Sequence, residues 1–138
     1  MNRADDLGSR RGAEPVVVTI PAPERGMNTH SRPSFAAVDV MIAAIPLLKV
    51  LVERIKRQDK DLADQIRRAA NSVVLNLAES RGSADGNRSL RARTAFGSLH
   101  EVRAGLRAAQ GWGYVDSVEQ VDAQLDRVAA MTWRLARR

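Results

Sequence analysis

The sequence predicts an all-α protein of four helices behind an N-terminal tail, and three observations carry that prediction. Aromatic residues make up only 4% of the 138 residues while Ala, Leu, Val and Arg dominate, a composition that favours small and aliphatic helix packing over a β-rich core. Apolar residues recur at helical spacing in four successive segments. The chain is also long enough for one domain with a real core and too short for two comfortable ones. The stretch from Gln65 to Glu101 organises the rest, since it holds two of the periodic segments and the Gly-containing joint between them.

Residues 1–33 read as a tail and residues 34–138 as the helical domain. The tail holds four prolines, three glycines and a single apolar patch, Val16-Val17-Val18-Thr19-Ile20, bracketed by Pro15 and Pro21. A disordered leader is the plain expectation. The patch can alternatively pair as a short edge strand or dock as an extended peptide. Met27 is a second possible start of translation.

Helix 1 is expected from Ser34, a cap behind Pro33, to about Arg57. Its seam reads Val38, Ile42, Ile45, Leu48, Leu51, Val52 and Ile55. Pro46 lies inside that pattern and removes a backbone donor, which predicts a kink or two helical pieces. No Gly or Pro separates it from helix 2, so the connection should be short and the two helices antiparallel. Helix 2 is expected from Lys60 or Asp61 to near Arg81, with Gly82 taking the left-handed terminal conformation. Its seam, Leu62, Ile66, Ala69, Val73, Asn76 and Ser80, turns polar towards its end. Asn76, with Ser72 and Glu79 beside it, reads as a residue that sets register by hydrogen bonding to a partner helix.

Helix 3 is expected to begin after Asp85-Gly86-Asn87, with Asn87 as the cap, and to continue to about Gln110. Ala92, Ala95, Leu99, Val102, Leu106 and Ala109 form its seam, with Gly97 and Ser98 as small residues that let a neighbouring helix come close. On its far side Arg93, His100, Arg103 and Arg107 form a basic stripe. Gly111 and Gly113 should end the helix, with Trp112 and Tyr114 covering the end of the bundle. Helix 4 is expected from Asp116 or Ser117, where Asp116 with Glu119 or Ser117 with Gln120 fits a capping box. Val118, Val121, Leu125, Val128, Thr132 and Leu135 make its seam, and its acidic first half and basic end suit the helix dipole.

The order of Gln65-Ile66-Arg67-Arg68-Ala69-Ala70, Asn76-Leu77-Ala78-Glu79, Gly97-Ser98-Leu99 with Glu101, and Gly113-Tyr114 resembles that of the 23S rRNA intervening-sequence proteins. That family is itself similar to the accessory variability proteins of diversity-generating retroelements. The resemblance runs from about Asp39 to Leu135. It implies an up-down antiparallel four-helix bundle assembled as a homopentameric ring, RNA or DNA binding and, for the retroelement branch, association with a reverse transcriptase. Where the family commonly carries Pro and Gly this chain has Val74 and Ser80, which implies a more regular helix 2.

The chemistry open to the chain is narrow. There is no cysteine, which excludes disulfides and thiolate metal sites and favours a cytoplasmic location. The longest apolar run, Val40 to Leu48, falls well short of the roughly 20 residues that cross a bilayer. Gly82-Ser83-Ala84-Asp85-Gly86 lacks the Lys of a phosphate-gripping loop. His30 and His100 are the two histidines, and they make neither a metal site nor an acid–base pair. No cofactor is expected, and the chain reads as non-enzymatic.

Charge points to a partner. The net charge is +6, nearly all of the basic residues are Arg, and a guanidinium forks onto phosphate oxygens. An Arg-rich solvated surface without a partner is the alternative. Between Gln65 and Ala108 stand Arg67, Arg68, Arg81, Arg88, Arg91, Arg93, Arg103 and Arg107 against Glu79, Asp85 and Glu101. These eight are the expected nucleic-acid contacts, with RNA the expected polymer, while Asn76, Glu79, Gly97 and Ser98 are expected to fix the packing of helices or subunits. Scarce aromatics argue for recognition of backbone or shape over base sequence. The competing reading is a protein–protein adaptor, such as an accessory subunit of a reverse transcriptase, docking through the basic face or the tail.

Overall fold

The computed structural model describes residues 33–137, which form four helices: α1 (Pro33–Gln58), α2 (Lys60–Gly82), α3 (Asp85–Gly111) and α4 (Glu119–Ala136). The tail, its Val16–Ile20 patch and the Met27 start lie outside the described residues. Each helix packs on two neighbours, α1 on α2 and α4, and α3 on α2 and α4. Ser72 meets Ser98 and Glu79 meets Arg91 across α2/α3, while Ser89 meets Ala136 and Arg103 meets Asp122 across α3/α4, so in each pair the sequence runs in opposite directions. The result is the expected all-α, up-down bundle. Among the described residues no helix is long and apolar enough to cross a membrane.

A single residue joins α1 to α2. The Asp59 amide donates to the Ile55 carbonyl at 2.8 Å, closing α1, while its carbonyl accepts from Ala63 N at 3.1 Å, opening α2. Its backbone is extended, and Oδ1 accepts from Leu62 N at 2.9 Å as a side-chain N-cap. One residue thus satisfies groups on both helix ends. α1 itself is continuous through Pro46. Pro46 is exposed, as is Ile42, whose carbonyl loses its helical donor, so the gap in the ladder falls on the solvent side and the helix is not broken into two pieces.

Four expected ends are corrected. α1 already begins at Pro33, so Ser34 lies within the helix and is not its cap. Gly82 does not take a left-handed conformation, and Gly113 is the described glycine that does, at φ 78°. The reversal after α2 is made instead by Ser83 and Ala84, both extended, with Ser83 Oγ donating to the Glu79 carbonyl at 2.8 Å. Asn87 is not the cap of α3, because the helix has already begun at Asp85, with the Ala84 carbonyl accepting from Asn87 N and Arg88 N. Neither capping box forms at α4. That helix starts at Glu119 because Val115 and Val118 are drawn into the core, and Ser117 Oγ only accepts from Glu119 N at 3.3 Å. The end of α3 does match expectation. Tyr114 N donates to the Ala109 carbonyl and Gly113 N to the Gln110 carbonyl, a Schellman closure that needs the left-handed glycine between them. Trp112 does not cover the bundle, being 73% exposed.

The core is aliphatic and small. All six seam residues of α3 are buried, as are Val121, Leu125, Val128 and Thr132 of α4. The seam of α1 is displaced by one residue in its first half: Ala37, Met41 and Ala44 are buried while Ile42 is 48% exposed. That segment is apolar on every side, so its spacing admits two registers, and packing against α2 and α4 chooses one. Gly97 is not a close-approach point, as a Cβ there would meet nothing within 4 Å. Gly105 has that role, because its added Cβ would stand 2.7 Å from Ile66 Cγ1.

Candidate nucleic-acid interface

The α2/α3 hairpin is held by polar links at regular levels. Ser72 Oγ and Ser98 Oγ share a hydrogen bond of 2.8 Å across the two helices. Asn76 Nδ2 donates to the Ser72 carbonyl at 2.9 Å and to Ser72 Oγ at 3.1 Å. Asn76 therefore bonds within its own helix and reaches α3 only through the Ser72 hydroxyl. This differs from the direct cross-helix bond expected of it, because Ser72 stands one turn nearer to the facing hydroxyl. One level further, and on the exposed surface, Glu79 pairs with Arg91 at 3.1 Å, a solvent-screened pair that adds little to the hold. Among the described residues no buried side-chain nitrogen or oxygen lacks a partner, as a relay of this kind requires.

The eight arginines divide among three places. Arg67 and Arg68 stand on the first half of α2, where Arg67 is 3.7 Å from Asp64 Oδ1 and Arg68 Nε is 3.4 Å from the Asp64 carbonyl, both weak contacts. Arg81, Arg88 and Arg91 gather at the α2/α3 joint, where Arg88 Nε donates to the Ser83 carbonyl at 2.8 Å. Arg93, Arg103 and Arg107 lie on the side of α3 that turns towards α4. Seven of the eight are exposed.

Arg103 is the exception and departs from the expected open stripe. Its Nε and Nη2 donate to the two Asp122 oxygens at 2.8 and 3.1 Å, and Nη1 reaches Asp126 Oδ1 at 3.3 Å. The fork is bidentate, the geometry that gives Arg–carboxylate pairs their strength. Hydrogen bonding to Arg103 holds the Asp122 carboxyl below its usual range against the opposing effect of burial, with the charges of Arg103 and Arg107 adding to it. The same bond raises Arg103. Its side chain is only 23% exposed, so this guanidinium ties α3 to α4 and is withdrawn from any phosphate. The acidic first half of α4 consequently serves as more than a partner for the helix dipole.

Sequence reasoning missed an aromatic group on this same α3/α4 side. Phe96 meets His100 edge-on with ring centroids 4.4 Å apart and interplanar angle 81°, and meets Trp133 of α4 at 5.3 Å and 42°. The Arg137 guanidinium lies 5.7 Å from the Trp133 ring centroid. Within each helix the signal was present, as Phe96/His100 and Trp133/Arg137 are both four apart. What joins them is the register of α3 on α4.

A separate groove of about 620 Å³ runs between α1 and α2, with Leu48, Val52 and Ala63 on its floor and Lys49, Lys56 and Glu53 at its margins.

A family model described as 23S rRNA-intervening sequence protein matches residues 39–134, a span that begins within α1 and ends within α4. No curated protein and no solved structure matches the chain.

Proposed function

Because the chain belongs to the 23S rRNA-intervening sequence protein family, we propose that it is a non-enzymatic protein that binds structured RNA through the phosphate backbone, acting as a homopentameric ring. The observation that carries this reading is the exposure of Arg67, Arg68, Arg81, Arg88, Arg91, Arg93 and Arg107 along one helical hairpin. Exposed guanidinium groups exchange weak solvent-screened pairs for bidentate phosphate contacts at little cost. The family description names 23S rRNA, which favours RNA over DNA. A ring repeats the same hairpin in each copy, so individually weak contacts combine through effective concentration.

Binding of a structured RNA across a salt series tests this. Affinity should fall steeply with ionic strength, with a slope of roughly 0.7 to 0.9 per phosphate contact in log–log form. Replacing Arg88, Arg91 and Arg93 by Ala should flatten that slope by about two to three per copy engaged. Salt-independent affinity, or affinity unchanged by the triple substitution, removes the reading. Native mass checks the ring, and any value other than five copies rejects that number.

The α1/α2 groove favours a second reading, a protein adaptor. Its apolar floor with charged margins suits a peptide or helix of a partner such as a reverse transcriptase. Val52→Glu on the groove lining separates the two when partner capture is scored beside RNA affinity. An adaptor that docks in the groove loses its partner, and an RNA binder that uses the exposed arginines of α2 and α3 keeps its affinity; deleting residues 1–33 tests in the same way an adaptor that docks through the tail.

A further inference from the structure

We propose that the α3/α4 face carries a stacking site for an unpaired base of single-stranded nucleic acid, with the Trp133 indole as platform and Arg93 and Arg137 as its phosphate contacts. This rests on the nucleic-acid reading above and adds to it a contact that phosphate binding does not require.

Trp133 is 48% exposed. Phe96 packs against it at 5.3 Å, and Phe96 is itself partly buried against the core and braced by His100. The indole is thus flanked by Phe96 and has the Arg137 guanidinium over its ring, while about half of the residue faces water. A supported ring loses little rotamer freedom on binding, which preorganises it for a planar ligand. Every base offers a π-face, so such a platform binds without selecting sequence. Ile42, Leu75 and Leu90 are also exposed but have no aromatic face.

Charge decides which planar ligand fits. Arg137 lies over Trp133 at 5.7 Å, so a base that stacks on that face displaces an exposed guanidinium, whose fork then turns to the adjoining phosphate. Arg134 stands in the same last turn of α4. Arg93, exposed, lies one helical turn before Phe96 on α3. These cations outweigh the partial negative charge at the helix C-terminus. Asp126 lies two turns away and is engaged by Arg103. Trp112 supplies the comparison: it is more exposed, at 73%, and stacks near-parallel to Tyr114 at 6.4 Å, but the chain that follows it carries Asp116 and Glu119. The local charge order therefore suits a polyanion better at Trp133 than at Trp112.

The test uses the full chain carrying Trp112→Phe, which leaves Trp133 as the single indole, titrated with a single-stranded oligonucleotide and with a blunt RNA duplex of equal length. The single strand should quench Trp133 emission, and the duplex should not. Adding Trp133→Leu, which keeps apolar cover on Phe96, should weaken single-strand binding roughly 5- to 160-fold, the range of one lost base stack, and leave duplex affinity within about twofold. Trp133→Phe should fall between, and thermal unfolding checks that each variant is folded. If both polymers bind and Trp133→Leu changes neither, the stacking site is overturned while phosphate binding stands. Should neither polymer bind at low salt, both readings fall. A change of native mass in Trp133→Leu would make this face a contact between copies and overturn the proposal.

Discussion

Two glycines of α3 should respond to the same substitution with opposite signs. Gly97 is exposed, and a Cβ there meets nothing within 4 Å. Gly97→Ala therefore gains the helix propensity that glycine lacks, about 1 kcal/mol, with nothing to oppose it. Gly105 is half-buried, and its new Cβ would stand 2.7 Å from Ile66 Cγ1, 3.2 Å from Ile66 Cδ1 and 3.8 Å from Leu62 Cδ1. Cγ1 is near the root of its side chain, and Ile66 is 1% exposed, so it has no solvent to swing into. Relief requires α2 and α3 to move apart or Ile66 to leave its rotamer, at about 1–3 kcal/mol. Subtracting the propensity gain leaves Gly105→Ala destabilised by roughly 1 kcal/mol, so the two variants should differ by about 2 kcal/mol. In a bundle of this size each kcal/mol moves the melting temperature by about 4–8 °C. Thermal and urea unfolding, at protein concentrations where native mass is unchanged, read the difference. In the Gly105→Ala background Ile66→Ala should cost less than alone, because it removes both clashing atoms, and the coupling should exceed about 0.5 kcal/mol. Equal stabilisation by the two alanines would refute the close approach of α2 to α3 at this level.

Other outcomes follow from the helix ends and the interhelical ion pair. Arg103→Met keeps the aliphatic stem and removes the fork, and should cost about 1 kcal/mol, the value for a bidentate pair that is still partly solvated. Asp122→Asn should cost a similar amount, the double variant should be far from additive, and Asp126→Asn, 73% exposed, should matter least. Since the folded-state pKa of Asp122 is depressed, its contribution is present above the unfolded value of about 3.9 and is lost as pH falls through the folded value. Urea midpoints of the native chain should therefore drop more between pH 5 and pH 2 than those of Asp122→Asn. Asp59→Ala removes the cap of α2 and should cost about 1 kcal/mol, with Asp59→Asn recovering most of it, read by urea unfolding at neutral pH.

The seam of α3 was readable at every position because its apolar residues are separated by polar ones, leaving one register. The first half of α1 was not, since Val38 to Ile45 is apolar on both candidate faces and only the neighbouring helices break the tie. Glycine signals were ambiguous for a related reason. Gly82, Gly97, Gly105 and Gly113 look alike in sequence, yet only Gly113 has the left-handed φ and only Gly105 the close neighbour. The Arg excess on the hairpin was plain from counting, and the exposure of seven side chains agrees with it. What counting does not reveal is pairing between helices. Arg103 and Asp122 are 19 residues apart, and Phe96 and Trp133 are further still. Both pairs exist because α3 lies on α4 at one particular offset, a quantity that no local pattern encodes.

The Asp59 joint also bears on how the chain assembles in time. With one residue between α1 and α2, and two between α2 and α3, the first three helices close on one another with almost no loop entropy to overcome. α4 must instead be brought in through the longer stretch from Trp112 to Val118. Its docking supplies the pairings most distant in sequence, those with α1. Topologies dominated by near-neighbour pairings fold in microseconds to milliseconds. The order built into the connections is a helical hairpin extended by a third helix, with α4 sealing the remaining open side.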